Sequence, residues 1–142
     1  MKSYIISLHD AGTPSNQRLA KTISEFSDEH EFIPAVHGNK INAFEYFKKI
    51  EKYSAVKGFV MAPNELGCTL SHISCYKKII SSNLSGAFIF EDDVIIPDKS
   101  FQYLKAIKKI ADSGANFIHL GGQDENNQGI SITRGVAIAE DQ

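Results

Sequence analysis

The stretch GAFIFEDD, residues 86–93, decides the fold because it joins an apolar run to three consecutive carboxylates. The apolar residues predict a buried strand, and the acidic residues fall where that strand leaves the core. Like charges this close repel one another and destabilise a fold unless a cation neutralises them. Carboxylate oxygens suit Mg²⁺ and Mn²⁺. We therefore interpret the triplet as a candidate site for a divalent cation, with a solvated loop as the alternative.

Side-chain alternation along this strand divides the three carboxylates between two sides. An extended backbone sends Glu91 and Asp93 in one direction and Asp92 in the other. The first two could then share one cation and, through it, a diphosphate.

Outward from this strand, the apolar pattern alternates between the periods of strands and helices. Predicted strands cover residues 4–8, 32–36 and 116–122, with a bent strand or hairpin at 130–138, and Pro34 suggests an edge strand. Predicted helices cover residues 15–26, part of 43–60, a segment that starts at Pro63, and a segment around 101–111. This order predicts an α/β fold, a Rossmann-like and mostly parallel sheet flanked by helices. Ligands of such sheets bind beyond the carboxyl ends of the strands, where residues 91–93 lie.

The helix that starts at Pro63 holds a second group of polar residues. Its apolar residues predict one buried face, formed by Leu66, Leu70, Ile73 and Ile80. At about 100° per residue, a narrow arc beside that face contains Glu65, Thr69, His72 and Tyr76. Gly67 costs about 1 kcal/mol relative to Ala inside a helix, which favours close approach of a ligand or another backbone. A packed helix with a hydrogen-bonded histidine is the alternative interpretation.

The two cysteines, Cys68 and Cys75, lie in the same predicted helix. They are about 10 Å apart along its axis, too far for a disulfide, and free thiols fit a reducing cytosol. With His72 they have i, i+4, i+7 spacing, so a zinc site is conceivable. Three ligands from one helix would need a fourth partner. We therefore favour two semi-buried structural cysteines.

Composition and charge exclude several classes of function. The 142 residues suffice for one domain with a real core. A formal net charge of −2 argues against a nucleic-acid binder that relies on positive charge. The sequence has no P-loop, no dinucleotide fingerprint, no apolar run of transmembrane length and no signal peptide at its N-terminus.

These motifs together resemble glycosyltransferase family 25, the lipopolysaccharide and lipooligosaccharide glycosyltransferases. Residues 64–72, NELGCTLSH, are similar to the family's x-E-x-G-C-x-x-S-H signature, and residues 90–94, FEDDV, to its L-E-D-D-V signature. Residues 32–38, FIPAVHG, resemble its F-x-A-V-x-G stretch. Residues 4–8, YIISL, followed by Arg18, match its N-terminal strand. The resemblance covers most of residues 1–122.

The resemblance implies a GT-A-like fold, a UDP-sugar donor, expected to be UDP-galactose, and a Mn²⁺ or Mg²⁺ ion. Asp93 would bind the metal that bridges the donor diphosphate, with Glu91 as a further metal ligand or a contact of the ribose or sugar. Glu65 and His72 would be the catalytic residues that line the donor or acceptor side. The donor-binding residues would be Leu8, His9, Arg18, Glu91 and Asp92.

The resemblance also implies an acceptor, a location and an incomplete domain. The acceptor would be a lipooligosaccharide glycan, and the protein would be cytoplasmic, with peripheral association at the inner face of the cytoplasmic membrane. The family's domain continues past the length of this chain, so residues 1–142 would be a single donor-binding half without the C-terminal part. Its exposed apolar surface would favour a homodimer. Glu65, Asp124 and Glu125 are candidates for the catalytic base.

Two other functions stay open at this point. A chain without the C-terminal half could be a catalytically inactive GT-A module that acts as a binding or interaction protein. Another sugar-nucleotide enzyme, such as a nucleotidyltransferase, is disfavoured because no glycine-rich, lysine-containing phosphate loop occurs near the N-terminus.

Overall fold

A computed structural model describes residues 1–96, 102, 104, 105, 107, 117–119 and 131–133, the last two ranges as backbone. The elements are β1 (Lys2–Ser7), α1 (Pro14–Ile23), β2 (Glu29–Pro34), a 3₁₀ turn (Gly38–Lys40), α2 (Ala43–Lys57), α3 (Pro63–Ser81), β3 (Ala87–Glu91), β4 (Phe117–His119) and β5 (Ser131–Thr133). The four described residues between 102 and 107 are helical, as predicted. Parts of the predicted segments 101–111, 116–122 and 130–138 lie outside the described residues, as do the candidate bases Asp124 and Glu125.

The first three strands form a parallel sheet in the order β2-β1-β3. In this register Ile5 of β1 lies opposite Phe32 on one side and Phe90 on the other. β4 and β5 form a separate antiparallel pair in which Ile118 lies opposite Ile132. The predicted α/β fold with a Rossmann-like parallel sheet is therefore confirmed. β2 is an edge strand of this sheet and ends at Pro34, as the proline predicted.

Both faces of the parallel sheet are buried, and side-chain alternation along β1 divides the core into two clusters. Ile5 packs with α1 and Phe26 on one face, where the rings of Phe26 and Phe88 meet edge to face at 5.7 Å. The other cluster consists of Tyr4, Ile6, Ile33 and Cys75. Cys75 belongs to α3, so α1 and α3 cover opposite faces.

The helix ends follow local signals. α1 begins at Pro14 and ends at Ile23, three residues before the predicted end, yet Phe26 still reaches the core. α2 is longer than the short helix predicted there. The Asn42 side chain caps its start by accepting a hydrogen bond from the Glu45 amide at 3.0 Å, and Gly58 ends it with φ 76°.

The predicted apolar face of α3 is wrong at Ile73 and Ile80, although Leu66 is buried as predicted. Ile80 is 77% exposed and Ile73 is 36% exposed. The buried residues of this helix are instead Leu66, Gly67, Ser71 and Cys75. Small residues occupy the buried face because α3 approaches a neighbouring backbone too closely for larger side chains.

That neighbouring backbone is the segment Val36–Gly38. A Cβ on Gly67 would lie 2.5 Å from the Val36 carbonyl oxygen, and one on Gly38 would lie 1.7 Å from the Pro63 carbonyl oxygen. The buried Ser71 hydroxyl accepts a hydrogen bond from the Val36 amide at 2.8 Å. The predicted close approach at Gly67 is therefore an approach of backbone to backbone, and it fixes the position of α3.

Within the described part of the chain, no helix is both long enough and apolar enough to cross a membrane. The longest, α3, has 19 residues and carries polar side chains on its exposed side.

Candidate functional site

The carboxyl ends of the parallel strands bring their last residues to one edge of the sheet. β1 ends at Ser7 and the neighbouring β3 ends at Glu91. Asp92 and Asp93 follow in a turn, which the Val94 amide closes with a 3.2 Å hydrogen bond to the Glu91 carbonyl. The acidic triplet therefore lies at the edge where ligands of such sheets bind.

α3 presents two side chains to the Glu91 carboxylate. His72 Nε2 lies 3.0 Å from Glu91 Oε1, and Cys68 Sγ lies 3.7 Å from the same oxygen. Cys68 and His72 are four residues apart, so one helical turn places them side by side. The His72 ring also lies against that of Tyr76, with centroids 6.2 Å apart. A nitrogen, a sulfur and an oxygen thus converge at the surface.

The electrostatic environment of this site keeps Cys68 protonated. Partial burial raises the pKa of its thiol first, and the negative charges of Glu91 and Asp93 and the hydrogen bond to Glu91 raise it further. Without a cation nearby, Cys68 is therefore a neutral hydrogen-bond donor to Glu91 and a weak nucleophile.

Asp92 has a different set of contacts. The buried Ser7 hydroxyl donates to Asp92 Oδ2 at 2.5 Å, and accepts hydrogen bonds from the His9 amide and the Asn16 side-chain amide, both at 3.0 Å. Asn16 is fully buried and also donates to the Asp10 carbonyl at 3.0 Å. These bonds connect the ends of β1 and β3 to the loop before α1, so Asp92 supports the edge itself.

The three carboxylates therefore separate much as alternation predicted, but for another reason. Glu91 ends the strand, and the turn after it directs Asp92 to Ser7. The negative charges of Glu91 and Asp93 both raise the pKa of Cys68. The divided arrangement comes from a turn and a buried hydroxyl, which strand periodicity does not describe.

The two residues predicted to be catalytic, His72 and Glu65, differ in their contacts. His72 lies at the site, whereas the Glu65 carboxylate accepts a hydrogen bond from the Ala62 amide at 2.7 Å and so caps the start of α3. The Thr69 hydroxyl in the same arc donates to the Glu65 carbonyl at 2.9 Å. Their predicted catalytic roles stay predictions, but Glu65 already has a structural contact.

The remaining predicted donor-binding residues are exposed. Leu8 and His9 directly follow β1, and Leu8 is 50% exposed. Arg18 is exposed on α1, and its guanidinium forms no salt bridge within residues 1–96. The structure brings Leu8 and His9 to the edge that holds the triplet.

The interpretation of the cysteines is half right. Both thiols are free, as predicted. They are not both semi-buried, because Cys68 is exposed and Cys75 is fully buried against Tyr4 and Ile6. Cys75 therefore cannot join Cys68 and His72 in a metal site.

Sequence reasoning missed three polar residues of this edge: Ser7, Asn16 and Cys68 as a partner of Glu91. Ser7 could have been found, since it lies next to the carboxyl end of the strand predicted over residues 4–8. Nothing in the sequence pattern points to Asn16.

The exposed carboxylates of this turn suit a hard divalent cation. Magnesium in proteins is commonly held by one or two carboxylates together with waters and substrate phosphates. Glu91 and Asp93 are both exposed beyond the strand end, whereas Asp92 is engaged by Ser7. The donor set therefore fits Mg²⁺ or Mn²⁺ through Glu91 and Asp93.

Comparison with known proteins identifies the family of the chain. The family model of glycosyltransferase family 25, described as an LPS biosynthesis protein, matches residues 1–134. The chain belongs to glycosyltransferase family 25. Both of the motifs that meet at Glu91, residues 64–72 and 90–94, lie inside the matched range.

The curated relatives of this family 25 chain include animal galactosyltransferases. Procollagen galactosyltransferase 1-B of Xenopus laevis is 25% identical over 136 residues, which cover 87% of this chain and 22% of that protein. Procollagen galactosyltransferase 1-A of Xenopus laevis is 29% identical over 83 residues, 55% of this chain and 14% of that protein. Procollagen galactosyltransferase 1 of Danio rerio is 30% identical over 83 residues, with the same coverages of 55% and 14%. The chain thus spans less than a quarter of the length of these relatives.

Proposed function

We propose that this chain is the donor-binding part of a metal-dependent glycosyltransferase that transfers a sugar, galactose, from a UDP-sugar to a glycan acceptor. The observation that carries the proposal is the meeting of α3 with the acidic turn at the carboxyl edge of a parallel sheet. Cys68 and His72 contact Glu91 there, and Asp92 is held by Ser7. The galactosyltransferase names of the relatives support galactose as the sugar.

The residues of the edge would divide the work of donor binding. Glu91 and Asp93 would hold Mn²⁺ or Mg²⁺, which when bound neutralises the charge that grows on the UDP leaving group. Asp92 and Asn16, both hydrogen-bonded to Ser7, would fix the shape of the edge. Leu8 and His9, exposed beside it, would contact the donor.

His72 would act through its position beside Glu91. Its Nε2 atom, 3.0 Å from the carboxylate, can orient Glu91 toward the cation or donate to a donor or acceptor oxygen. Glu65 is a weaker candidate because its carboxylate caps α3. A lipooligosaccharide acceptor, which the family description supports, would bring the protein to the inner face of the cytoplasmic membrane as a peripheral protein.

Calorimetry with UDP-galactose tests the proposal. We expect binding in the presence of Mn²⁺ and its loss in EDTA. Asp93→Asn should weaken binding by at least about tenfold, because a metal ligand is removed without change of side-chain size. Glu51→Gln, which changes an exposed carboxylate on α2, is the matched control and should bind as the unmodified chain does.

Two outcomes would contradict the proposal. Equal affinity for UDP-galactose with and without Mn²⁺ would show that binding does not require the metal. No binding to a cooperatively folded sample would show that the chain has no donor site. A coupled assay for UDP release then separates the remaining alternative. Metal-dependent binding without sugar transfer or donor hydrolysis would identify a catalytically inactive binding module.

A further inference from the structure

The contacts of Glu91 bring together three different metal-ligating atoms. Cys68 Sγ, His72 Nε2 and a Glu91 carboxylate oxygen all lie within 4.8 Å of one another. The sulfur and the nitrogen lie 3.7 Å and 3.0 Å from the same Glu91 oxygen. In a tetrahedral zinc site with ordinary bond lengths, ligand atoms are about 3.4–3.6 Å apart. The two separations from Glu91 are therefore already close to those of ligands around one ion.

The chemistry of these ligands differs from that of the acidic turn. Thiolate and imidazole are the ligands that Zn²⁺ prefers, whereas Mg²⁺ and Mn²⁺ prefer oxygen. One turn of α3 supplies the sulfur and the nitrogen, and β3 supplies the oxygen, so two separate elements clamp the site. The His72 and Glu91 side chains remain 29% and 50% exposed, which leaves access for an ion and a water as fourth ligand.

We propose that Cys68, His72 and Glu91 form a Zn²⁺ site that is distinct from the Mg²⁺ or Mn²⁺ site of the acidic turn but shares Glu91 with it. Because one carboxylate serves both ions, zinc bound by α3 withdraws Glu91 from the other cation. Zinc would then compete with Mn²⁺, and this last consequence rests on the proposed function.

Metal binding has a defined proton balance. In the metal-free site the Cys68 thiol donates to Glu91, and His72 Nε2 carries a proton in the tautomer that donates to the same oxygen. Zinc replaces both hydrogen bonds. The thiol proton leaves to the buffer, and the His72 proton moves from Nε2 to Nδ1 so that the Nε2 lone pair can bind the metal. Zinc uptake should therefore release about one proton, and its affinity should rise with pH.

Titration of the protein with Co²⁺ alone, then with Zn²⁺, tests the site without any nucleotide. We expect a near-ultraviolet sulfur-to-cobalt charge-transfer band with the strong visible absorption of tetrahedral Co²⁺, and loss of both on addition of one equivalent of Zn²⁺. Calorimetry of Zn²⁺ binding in buffers of different ionisation enthalpy should give the released proton. A non-chelating reductant keeps the thiols reduced throughout.

Single substitutions assign the ligands. Cys68→Ser and His72→Ala should each weaken Zn²⁺ binding by at least about 100-fold, since loss of a residue that only hydrogen-bonds to a metal ligand already costs about 10–100-fold. Cys75→Ala is the matched control because its thiol is fully buried against the sheet, about two helical turns from Cys68, and the cobalt spectrum should persist.

The proposal is overturned if no sulfur-to-cobalt band forms, or if the band persists in Cys68→Ser and disappears in Cys75→Ala. Thermal unfolding of each variant shows that a lost band is not a lost fold. Failure of these titrations leaves Mn²⁺-dependent UDP-galactose binding untouched, and failure of the latter leaves zinc binding untouched, so the two proposals are tested separately.

Discussion

The two faces of α3 differ although their residues alternate in one short motif. Gly67 and Ser71 face Val36–Gly38 and hold the helix there by close contact and one hydrogen bond. Cys68 and His72, each one residue later, face Glu91 at the surface. A single sequence signature thus combines residues that position the helix with residues that are available to a ligand. Adjacent substitutions should therefore have opposite consequences for stability and binding.

The largest expected effect comes from adding a methyl group to the buried contact. Gly38→Ala would place a Cβ 1.7 Å from the Pro63 carbonyl oxygen, and Gly67→Ala would place one 2.5 Å from that of Val36. Because the backbone cannot move aside as a flexible side chain can, we expect the free energy of unfolding to fall. The loss should be about 3 kcal/mol or more for Gly38→Ala and about 1–3 kcal/mol for Gly67→Ala. Urea unfolding measures both.

Gly12→Ala is the control for these variants, since nothing lies within 4 Å of its added Cβ, and its stability should change by less than about 0.5 kcal/mol. An unchanged unfolding midpoint for Gly38→Ala would show that α3 does not approach the 36–38 segment this closely.

The neighbouring pair Ser71 and His72 sharpens the same comparison at intermediate magnitude. Ser71→Ala removes the acceptor of the Val36 amide inside the structure and should cost about 1–2 kcal/mol. His72→Ala changes a partly exposed side chain and should cost less than about 0.5 kcal/mol, while it abolishes the zinc site. Denaturant unfolding and the cobalt titration, run on both variants, should give opposite rankings. Equal destabilisation by the two substitutions would mean that the faces are not distinct.

The smallest expected effect is a difference in chemical reactivity between Cys68 and Cys75. In the native protein, iodoacetamide should modify exposed Cys68 and leave fully buried Cys75 unmodified until the protein unfolds. Burial raises the pKa of Cys75 to about 11, and that of Cys68 is also raised, so modification should be slow at neutral pH and faster as pH rises. Mass spectrometry of the digested protein identifies the site.

The charge of Glu91 controls this reactivity in one direction. Its carboxylate disfavours the Cys68 thiolate, so Glu91→Gln should lower the pKa of that thiol and accelerate modification several-fold at fixed pH. Slower modification in Glu91→Gln, or equal labelling of both thiols in native protein, would contradict the assigned environments.

The sequence predicted the fold well where one period governs a segment. The short apolar run that ends at Phe90, and proline at positions 34 and 63, correctly indicated the buried strand, the edge strand and the start of α3. The buried face of α3 was not predicted in full, because it was assigned from the spacing of hydrophobic residues alone. Here close backbone approach selects glycine and serine over Ile73 and Ile80.

The candidate site was predicted in part for a related reason. Glu91 and His72 were named from two separate motifs, and the structure brings them to 3.0 Å. The partnership of Ser7 with Asp92 depends on a turn after β3 and on the sheet register, neither of which a local pattern contains. The contact of Cys68 with Glu91 likewise depends on how α3 lies over the sheet.

The strand order has a consequence for how the chain folds. β1 is the first strand in the sequence but the central strand of the sheet, and its Lys2 pairs with Glu29 on one side and Ala87 on the other. The central strand β1 therefore gains its second neighbour only when β3 pairs with it, and closing so long a loop slows folding. We therefore expect the edge that holds Ser7 and Asp92 to form only when β3 pairs with β1, so the site would assemble late in folding.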